Sequence, residues 1–357
     1  MVVSNLLPII EAVGTPYEIG YTHGSAAKKQ IENCIDTYSA MFKDYAGMDW
    51  ETATQIVSRY EEAVREYDEE SWEEIEGIAA GAGLKPWDIL ALNARSEIVL
   101  TGQFIEGCTS LALTPEATCN GNTLLAQNWD WKASQRDALI LLKMRQKNKP
   151  SIAMVTEAGV IGKIGLNSAG LGVCLNALAT EEPPEGVPLH IILRGILNSE
   201  IISDAIEAVG RTKIACAANF LIAHANGEAV DIEAAPTDFD VMYPEDGIIV
   251  HSNHFISPRL TNQKDYGKRI IPDSFIRLGR MTKNIKRKKI LGIKDIQELL
   301  QDHVEYPDSI CRHEDLSEEP GQRKATVFSI IMDLERRELH IAPGAPCNTA
   351  FQLHTMF

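Results

Sequence analysis

The stretch Glu106-Gly107-Cys108-Thr109-Ser110 divides the chain into two parts with different sequence patterns. Upstream, apolar residues recur at helical spacing; downstream, short apolar runs are typical of strands. Gly107 has no side chain to shield its carbonyl, so the Cys108 thiol could attack that carbonyl and cut the Gly107–Cys108 bond through a thioester. The new chain would then begin with a cysteine that carries both a nucleophilic sulfur and a free amine. We therefore expect Cys108 to be the residue around which the protein is organised.

The α-amino group of a freed Cys108 could serve as the base for its own thiol. Such amines titrate near pH ~8, within reach of neutral pH, and N-terminal amines activate nucleophiles of this kind. A histidine base is then unnecessary, and the sequence alone does not place His23, His251 or His254 near the thiol.

Three further residues could complete such a site. Asp130, in Gln127-Asn128-Trp129-Asp130-Trp131, could orient the amine, and Asn253, in His251-Ser252-Asn253-His254, could donate a hydrogen bond to the developing oxyanion. Arg312 could fix a carboxylate or support the surroundings of the nucleophile. Each has a structural alternative: a turn cap for Asp130, a turn residue for Asn253 and a surface ion pair for Arg312.

The net charge of the chain disfavours two classes of partner. The 357 residues carry a formal charge of -16, and residues 1–107 hold 19 Asp and Glu against 7 Lys and Arg. Such an acidic surface repels nucleic acid and anionic membranes, so we expect neither as a partner. The basic cluster within residues 283–289 is interpreted as the exposed end of a helix, with attraction of an acyl-CoA phosphate tail as the alternative.

The cysteine pattern favours a reducing compartment. Seven cysteines with no close pair do not form a disulfide framework, and no Cys-x-x-Cys spacing indicates a zinc site, so we expect no metal and a cytoplasmic protein. The N-terminal stretch from Met1 to Ile10 lacks the basic flank of a signal peptide and is interpreted as a strand that covers a sheet edge. The final tripeptide, Thr355 to Phe357, is not of the peroxisomal Ser-Lys-Leu kind.

The order of elements predicts antiparallel sheets layered with helices, because strands and helices come in groups rather than alternating. Four helices are predicted before Cys108, after a short helix near Pro16: about Ile31 to Phe42, Trp50 to Glu69, Ser71 to Ala80 with a serine cap, and Pro86 to Arg95. The predicted strands are Thr109 to Leu113, Thr123 to Trp129, Ala138 to Met144, Ile152 to Thr156, Ile161 to Leu166, Gly172 to Asn176, Asn219 to Ala223, Ala229 to Glu233, Gly247 to His251, Thr326 to Asp333 and Glu338 to Ile341. The glycine-rich stretch Gly159 to Gly165 is interpreted as a strand with close backbone contacts rather than a phosphate loop, since Ile164 stands where Ser or Thr would bind magnesium.

These residues together resemble the acyl-coenzyme A:isopenicillin N acyltransferase family, a branch of the self-processing N-terminal-nucleophile hydrolases. The likeness extends along nearly the whole chain. It is carried by ordered motifs, among them Gly14 to Gly20, His23 to Lys28, Leu92 to Glu97, Gly107 to Ser110, Gln127 to Asp130, Thr156 to Lys163, Asn167 to Gly170, His251 to His254, Pro272 to Ser274 and Ser309 to Arg312.

The resemblance implies an αββα sandwich, of α+β class, with two mainly antiparallel sheets between helical layers. It implies one co-folded catalytic unit made as a precursor, which cleaves itself between Gly107 and Cys108 into a helical α-chain, residues 1–107, and a β-chain, residues 108–357, that stay together as a heterodimer. It further implies that Cys108 is the nucleophile, that Asp130 and Arg312 shape its surroundings and that Asn253 is the oxyanion donor. No cofactor is implied. We also expect four residues to contact the substrate: Ser110, Trp129, Trp131 and Ser309.

The expected activity is acyl transfer through a Cys108 thioester, from an acyl-CoA or an amide to an amine or to water. The partners would be a small-molecule acyl donor and an amine acceptor, such as a penicillin-type or other secondary-metabolite peptide. Two alternatives stay open: a hydrolase of N-acyl or aminoacyl amides such as β-alanyl amines, and a catalytically inert binding protein of the same fold. The chain departs from the family pattern in three places, and these departures bear on substrate identity more than on mechanism. Ser110 stands where a second threonine often follows the cysteine, and the stretches Gln103 to Glu106 and Thr180 to Val187 are particular to this chain.

Overall fold

The computed structural model describes residues 6–99, 107–181, 184–260 and 263–356, and two β-sheets form its centre. The first sheet has the order β1-β4-β5-β6-β7-β8-β9-β10, and the second has the order β11-β2-β3-β12-β13-β14. The strands are β1 Ile9–Gly14, β2 Gly107–Leu113, β3 Leu124–Trp131, β4 Leu139–Gln146, β5 Ile152–Glu157, β6 Ile164–Asn167, β7 Leu171–Ala177, β8 Ala218–His224, β9 Glu228–Ala235, β10 Asp238–Met242, β11 Ile248–His251, β12 Ala325–Asp333, β13 Glu338–Ala342 and β14 Gln352–Thr355. β1 pairs with β4 in parallel at the edge of the first sheet, and the other pairings are antiparallel.

Helices cover the outer faces of both sheets. They are α1 Pro16–Ala26, α2 Lys28–Ala46, α3 Trp50–Val57, α4 Glu61–Tyr67, α5 Glu69–Ala82, α6 Pro86–Asn93, α7 Arg95–Val99, α8 Leu189–Leu197, α9 Ile202–Gly210, α10 Gly267–Ile270, α11 Asp273–Lys288 and α12 Ile293–Leu300. α2, α8 and α9 contact the first sheet, whereas α11 and α12 contact the second. The two sheets contact each other through β2, β3, β7 and β8, so the layers run helix, sheet, sheet, helix. This architecture confirms the predicted α+β sandwich.

The alternation of side chains along β2 explains how the sheets stack. Cys108 and Ala112 point into the large core that the two sheets share, whereas Leu111 and Leu113 join a second apolar cluster under α11 and α12. A strand with both faces covered needs apolar residues on both, because successive side chains point to opposite faces. The sequence of β2 meets that requirement, and all seven of its residues are buried.

A buried ionic cluster joins the helices that precede Cys108 to the strands that follow it. Arg95 of α7 donates to Glu157 at the end of β5 through Nη2 at 2.9 Å, and Lys163 Nζ lies 3.1 Å from the same carboxylate. The hydroxyl of Tyr38 on α2 donates to Glu157 and accepts from Trp131 Nε1 at 3.0 Å. Breaking a buried set of this kind leaves a charge unpaired, which costs on the order of 3–5 kcal/mol, so this cluster ties residues before and after Cys108 into one unit.

Three predicted elements differ from the structure, each for a local reason. The predicted helix from Trp50 to Glu69 is interrupted by a 3-10 turn at Ser58–Tyr60, where the Ser58 hydroxyl donates to the Gln55 carbonyl and the Tyr60 hydroxyl to Pro184 O. The next helix begins at Glu69 instead of Ser71 because Asp68 takes the capping position, and the Ser71 hydroxyl donates to its carboxylate at 2.8 Å.

The glycine-rich stretch is a turn over residues 158–163 and a strand only from Ile164. The close backbone contacts are present: a Cβ on Gly162 would lie 2.2 Å from His190 O in α8. The N-terminal strand begins at Ile9. The departures at Gln103 to Glu106 lie outside the described residues.

Candidate active site

Cys108 lies on β2 at the point where the two sheets face each other. Its side chain is fully buried, and in the antiparallel register its Cα faces that of Trp129 on β3. Its backbone is held on both sides, because the amide N–H donates to Asn253 Oδ1 at 2.8 Å and the carbonyl accepts a hydrogen bond from Arg277 Nη1. The predicted nucleophile and the predicted oxyanion donor, 145 residues apart in sequence, are therefore in direct contact.

Asn253 is fixed by four hydrogen bonds just after β11. Its Oδ1 accepts from Cys108 N and from Arg277 Nη2 at 2.9 Å, and its Nδ2 donates to Ala177 O at 3.1 Å. Its main-chain N–H donates to Ser274 Oγ at 2.7 Å. A carboxamide nitrogen carries two hydrogens, and the bond to Ala177 uses one of them, so the second can serve a further acceptor.

Arg277 is the central residue of the site that the sequence reasoning missed. Besides Cys108 O and Asn253, its guanidinium donates to Thr109 Oγ1 at 3.0 Å and, through Nε, to Asp273 at 2.7 Å. It is buried on the inner face of α11. The signal was available, since Arg277 stands on the three-and-four repeat that supplies the buried side of the helix, where an arginine needs several partners; the buried residues of that repeat are Ser274, Arg277, Met281 and Ile285.

A chain of ion pairs leads from Arg277 to Asp130. Asp273 accepts from Arg277 and also from Arg312 Nη2, and Arg312 Nε lies 3.5 Å from Asp130 Oδ2. Asp130 Oδ1 accepts from Thr326 Oγ1 at 2.7 Å. Asp130 Oδ2 and Arg312 Nε are buried without a hydrogen-bond partner, because 3.5 Å is beyond a good N–H···O bond. The structure thus brings Asp130 and Arg312 together, through Asp273 and Arg277, with Cys108.

The pKa values of the two carboxyl groups move in opposite directions. Burial raises the pKa of Asp130 to about 6, although Arg312 and Arg277 oppose the shift. Burial would also raise the pKa of Asp273, but the two arginines lower it below the ordinary aspartate value. Asp273 is therefore the permanent counter-ion, and Asp130 is the carboxyl group of this pair that can change charge near neutral pH.

Gly107 lies directly against Asp130. A Cβ on Gly107 would lie 3.0 Å from Asp130 Oδ2 and 3.4 Å from Arg312 Nε. This spacing is tighter than an ordinary van der Waals contact, so the position favours glycine. The Asp130 oxygen that lacks a hydrogen-bond partner therefore borders the residue that precedes Cys108.

The four residues predicted to contact substrate hold structural positions. Ser110 Oγ donates to Asn176 Oδ1 at 2.6 Å across the two sheets, and Ser309 Oγ donates to Cys311 O at 2.6 Å. Trp129 and Trp131 are buried next to each other in the core, with Lys163 Nζ 4.1 Å from the Trp129 ring centroid. Contact of these four residues with substrate stays a prediction.

The three histidines that sequence could not place make specific buried contacts. His23 Nε2 accepts from Gly159 N at 3.0 Å, and burial lowers the pKa of His23 to about 3. His251 Nε2 lies 2.8 Å from Glu233 Oε1; burial would lower its pKa, but Asp231 and Glu233 raise it. His254 Nδ1 lies 2.7 Å from Ser274 Oγ, and burial lowers the pKa of His254 to about 4.

A cavity of about 540 Å³ opens beside the ion pairs. Asp273 and Arg312 form part of its wall, together with Ile271, Ile276 and Lys324. Burial lowers the pKa of Lys324 to about 8. Cavities of roughly 300–1,000 Å³ are the usual size for small-molecule ligands. The cavity reaches the charged residues, whereas the Cys108 sulfur lies deeper, in the core.

Comparison with known proteins gives matches of two kinds. The family model for acyl-coenzyme A:6-aminopenicillanic acid acyl-transferase matches residues 117–348. The acyl-coenzyme A:6-aminopenicillanic-acid-acyltransferase 40 kDa form of Emericella nidulans is 34% identical over 341 residues, which are 94% of this chain and 92% of that protein.

Solved structures with a similar arrangement include a mutant of the conjugated bile acid hydrolase from Clostridium perfringens, with a TM-score of 0.49 and 15% identity over 70% of this chain and 92% of that chain. Another is penicillin V acylase from Agrobacterium tumefaciens, with a TM-score of 0.45 and 11% identity over 66% of this chain and 83% of that chain. The sequence matches, which span most of the chain, decide the assignment. The chain belongs to the acyl-coenzyme A:6-aminopenicillanic acid acyl-transferase family, and the protein is an enzyme.

Proposed function

We propose that this protein is a self-processing cysteine N-acyltransferase or amidohydrolase in which Cys108 is the nucleophile. The observation that carries the proposal is the set of contacts around one backbone position. Cys108 N–H is bound to Asn253, Cys108 C=O is bound to Arg277, and an Asp130 oxygen without a hydrogen-bond partner borders Gly107. A structural cysteine in a strand needs none of these polar and charged groups.

Self-cleavage would proceed in two balanced steps. The Cys108 sulfur attacks the Gly107 carbonyl carbon, the C–S bond forms as the C–N bond breaks, and the thiol proton goes to the nitrogen that becomes the α-amine. Water then hydrolyses the thioester, which leaves a carboxylate on Gly107 and a free thiol on Cys108. The products are an α-chain of residues 1–107 and a β-chain of residues 108–357, and the buried Arg95–Glu157 pair supports their staying together as a heterodimer.

Acyl transfer would use the same sulfur. The thiol loses its proton to the new α-amine and attacks the carbonyl carbon of an acyl donor; coenzyme A thiol or an amine leaves, and a thioester remains on Cys108. An amine or water then attacks that thioester and releases the thiol. In this scheme Asn253 Oδ1 and Asp130 Oδ2 hold the α-amine, and the second Nδ2 hydrogen of Asn253 stabilises the oxyanion.

The substrates we propose are a small-molecule acyl donor, either an acyl-CoA or an amide, and an amine such as a penicillin-type or other secondary-metabolite peptide. The cavity beside Asp273 and Arg312 supports a small-molecule ligand of this size. Hydrolysis of N-acyl or aminoacyl amides such as β-alanyl amines is the alternative outcome of the same acyl-enzyme.

Incubation of the processed protein with an acyl-CoA and a panel of amines, followed by mass spectrometry, tests the activity. We expect N-acyl amine to form with at least one amine and the acyl group to be trapped on Cys108. Free acid as the sole product with every amine would assign the protein to the hydrolases, because water would then be the only effective acceptor. No turnover of thioesters or amides, with no acyl group on Cys108, would favour the inert binding protein and contradict the proposal.

The pKa of Asp130 predicts a specific pH dependence for self-cleavage. Only the thiolate form of a cysteine attacks, so protonation of the Cys108 thiol lowers the rate about tenfold for each pH unit below the pKa of that thiol. The carboxyl group of Asp130 is ionised above its pKa of about 6 and neutral below it. If the charged form is required, its protonation lowers the rate by a further factor of about ten per unit below pH 6.

Denaturing gels measure the rate at which freshly translated precursor gives the two chains between pH 4 and pH 8. We expect the logarithm of this rate to fall by ~two units per pH unit at the acid end of that range. D130N should keep only the shallower slope. D308N is the matched control, because Asp308 pairs with the same Arg312 but is half exposed, and it should keep both slopes. An unchanged acid limb in D130N would show that Asp130 does not act through its charge.

The location that we propose is the cytoplasm or another reducing compartment, which the seven free thiols support. Across the part of the chain that the structure describes, we find no helix with the length and apolarity that crossing a bilayer requires.

A further inference from the structure

Four side chains that commonly bind metals meet at a point outside the site around Cys108. The ligand atoms of His303, Cys311, His313 and Cys347 all lie within 4.8 Å of one another. Nε2 of His313 is 3.1 Å from Nε2 of His303, 3.7 Å from Sγ of Cys311 and 3.3 Å from Sγ of Cys347. Two sulfurs and two imidazole nitrogens therefore converge on one small volume.

The three separations from His313 Nε2 are close to the edges of a tetrahedral zinc site, and the other pairs of ligand atoms lie within 4.8 Å. Zn–S bonds of about 2.3 Å and Zn–N bonds of about 2.0–2.1 Å give tetrahedral edges of about 3.3 Å between two nitrogens and about 3.6 Å between nitrogen and sulfur. The observed values differ from these edges by a few tenths of an ångström. A hydrogen bond between two neutral imidazoles would explain the contact between the two histidines, but it would not bring two thiols to the same nitrogen.

The backbone around the ligands is fixed by hydrogen bonds that do not depend on a metal. Cys311 N donates to Asp302 O, next to His303, and His313 N donates to Pro307 O, both at 3.0 Å. The third segment is tied to the first by a bond of 3.2 Å from Gln301 Nε2 to Pro346 O, next to Cys347. Three segments are thus aligned before any ion binds, which reduces the conformational entropy that binding must overcome.

We propose that His303, Cys311, His313 and Cys347 bind one Zn²⁺ ion in a closed, tetrahedral, structural site. Four protein ligands leave no open position for water or substrate, and a pair of thiolates with a pair of imidazoles is a donor set typical of zinc. Binding forms two Zn–S and two Zn–N bonds and releases the two thiol protons to solvent. The sequence contains no Cys-x-x-Cys pair that would indicate this site, because its ligands come from three separate segments.

The site bears on the chemistry through its position in the chain. Arg312 stands between the ligands Cys311 and His313, and its guanidinium pairs with Asp130 and Asp273. A metal ion that holds both neighbours of Arg312 adds to the hydrogen bonds that already fix this backbone, so release of the ion removes part of the support of Arg312. The metal site is inferred from its own geometry and does not require Cys108 to be a nucleophile.

Metal analysis of the reduced, full-length protein tests the proposal. We expect about one zinc per chain in the wild type and loss of at least ~100-fold in zinc affinity in H303A and in C347S, since even second-shell changes cost ~10–100-fold. H303A is the gentler variant, because His303 is exposed. C119S is the matched control: Cys119 is an exposed thiol outside the cluster, and its loss should leave zinc binding unchanged.

Cobalt substitution of the zinc-stripped wild type gives a second readout, and its spectrum does not depend on how the variants fold. We expect the intense visible bands of tetrahedral Co²⁺ and a thiolate-to-cobalt charge-transfer band, together with a chelator-dependent fall in Tm that H303A lacks. The proposal is overturned if reduced wild type shows no such spectrum, if H303A and C347S bind zinc as tightly as C119S, or if Cys311 and Cys347 form a disulfide in protein purified under reducing conditions.

Discussion

Replacement of Cys108 by alanine should yield an intact chain of 357 residues that transfers no acyl group. The methyl group has no nucleophilic electron pair and no proton to pass to the leaving nitrogen, so neither self-cleavage nor formation of an acyl-enzyme can begin. The fold should survive, because the change removes one buried sulfur, and small core truncations cost on the order of 1 kcal/mol. Denaturing electrophoresis with intact-mass analysis measures the outcome directly.

Cys174→Ala is the matched control for this experiment. Cys174 is a second fully buried cysteine, on β7 of the facing sheet, in the same core as Cys108. The variant removes an equivalent thiol and should still give the two chains 1–107 and 108–357. Two chains from C108A would show that the cleavage does not depend on the Cys108 sulfur, and an uncut but folded C174A would show that the effect of C108A is not specific to that sulfur.

The variant Cys108→Ser tests whether cleavage needs the reactivity of a thiol or only a nucleophilic group at this position. Its hydroxyl fits the same space but ionises far less readily than a thiol, so C108S should cleave slowly, and its rate should rise with pH. A hydroxyl that cleaved as fast as the thiol would indicate that another group activates it.

The sequence predicts those parts of the protein that depend on the spacing of apolar residues and on the residue types next to one position. β2 and β3 were identified by their apolar runs, and Cys108 was identified by its place between a glycine and hydroxyl residues. The edge strands β10 and β14 were not predicted. Both are short and at most half buried, and their pairing depends on a neighbouring strand and not on their own composition.

Contacts between residues that are distant in sequence could not be predicted. Resemblance to a family implied a shared site for Asp130, Asn253 and Arg312, but their contacts depend on α11, which inserts Asp273 and Arg277 between them. Arg277 belongs to no sequence motif, and the sequence indicates it only through its place on the buried repeat of α11.

Arg277→Lys should leave the protein folded but slow both self-cleavage and acyl transfer by about 100-fold. The guanidinium holds Cys108 O, Thr109, Asn253 and Asp273 at once, in a planar fork that a lysine ammonium cannot reproduce. The backbone of Cys108 and the amide of Asn253 would then shift, and a displacement of about 1 Å at a reacting group can cost ~10²-fold. Lysine keeps the positive charge beside Asp273, which avoids most of the ~3–5 kcal/mol that an unpaired buried charge would cost.

Arg280→Lys provides the comparison, because Arg280 lies one turn further along α11 and donates to Asp302 at 2.8 Å, away from Cys108. Its cleavage rate and kcat should equal those of the wild type. In the proposed mechanism Arg277 positions the nucleophile and does not bind the acyl donor, so R277K should lower kcat while KM for the donor stays close to the wild-type value. If R277K instead raises KM at an unchanged kcat, Arg277 binds substrate; if it cleaves at the wild-type rate, the contact with Cys108 O does not hold the scissile bond in place.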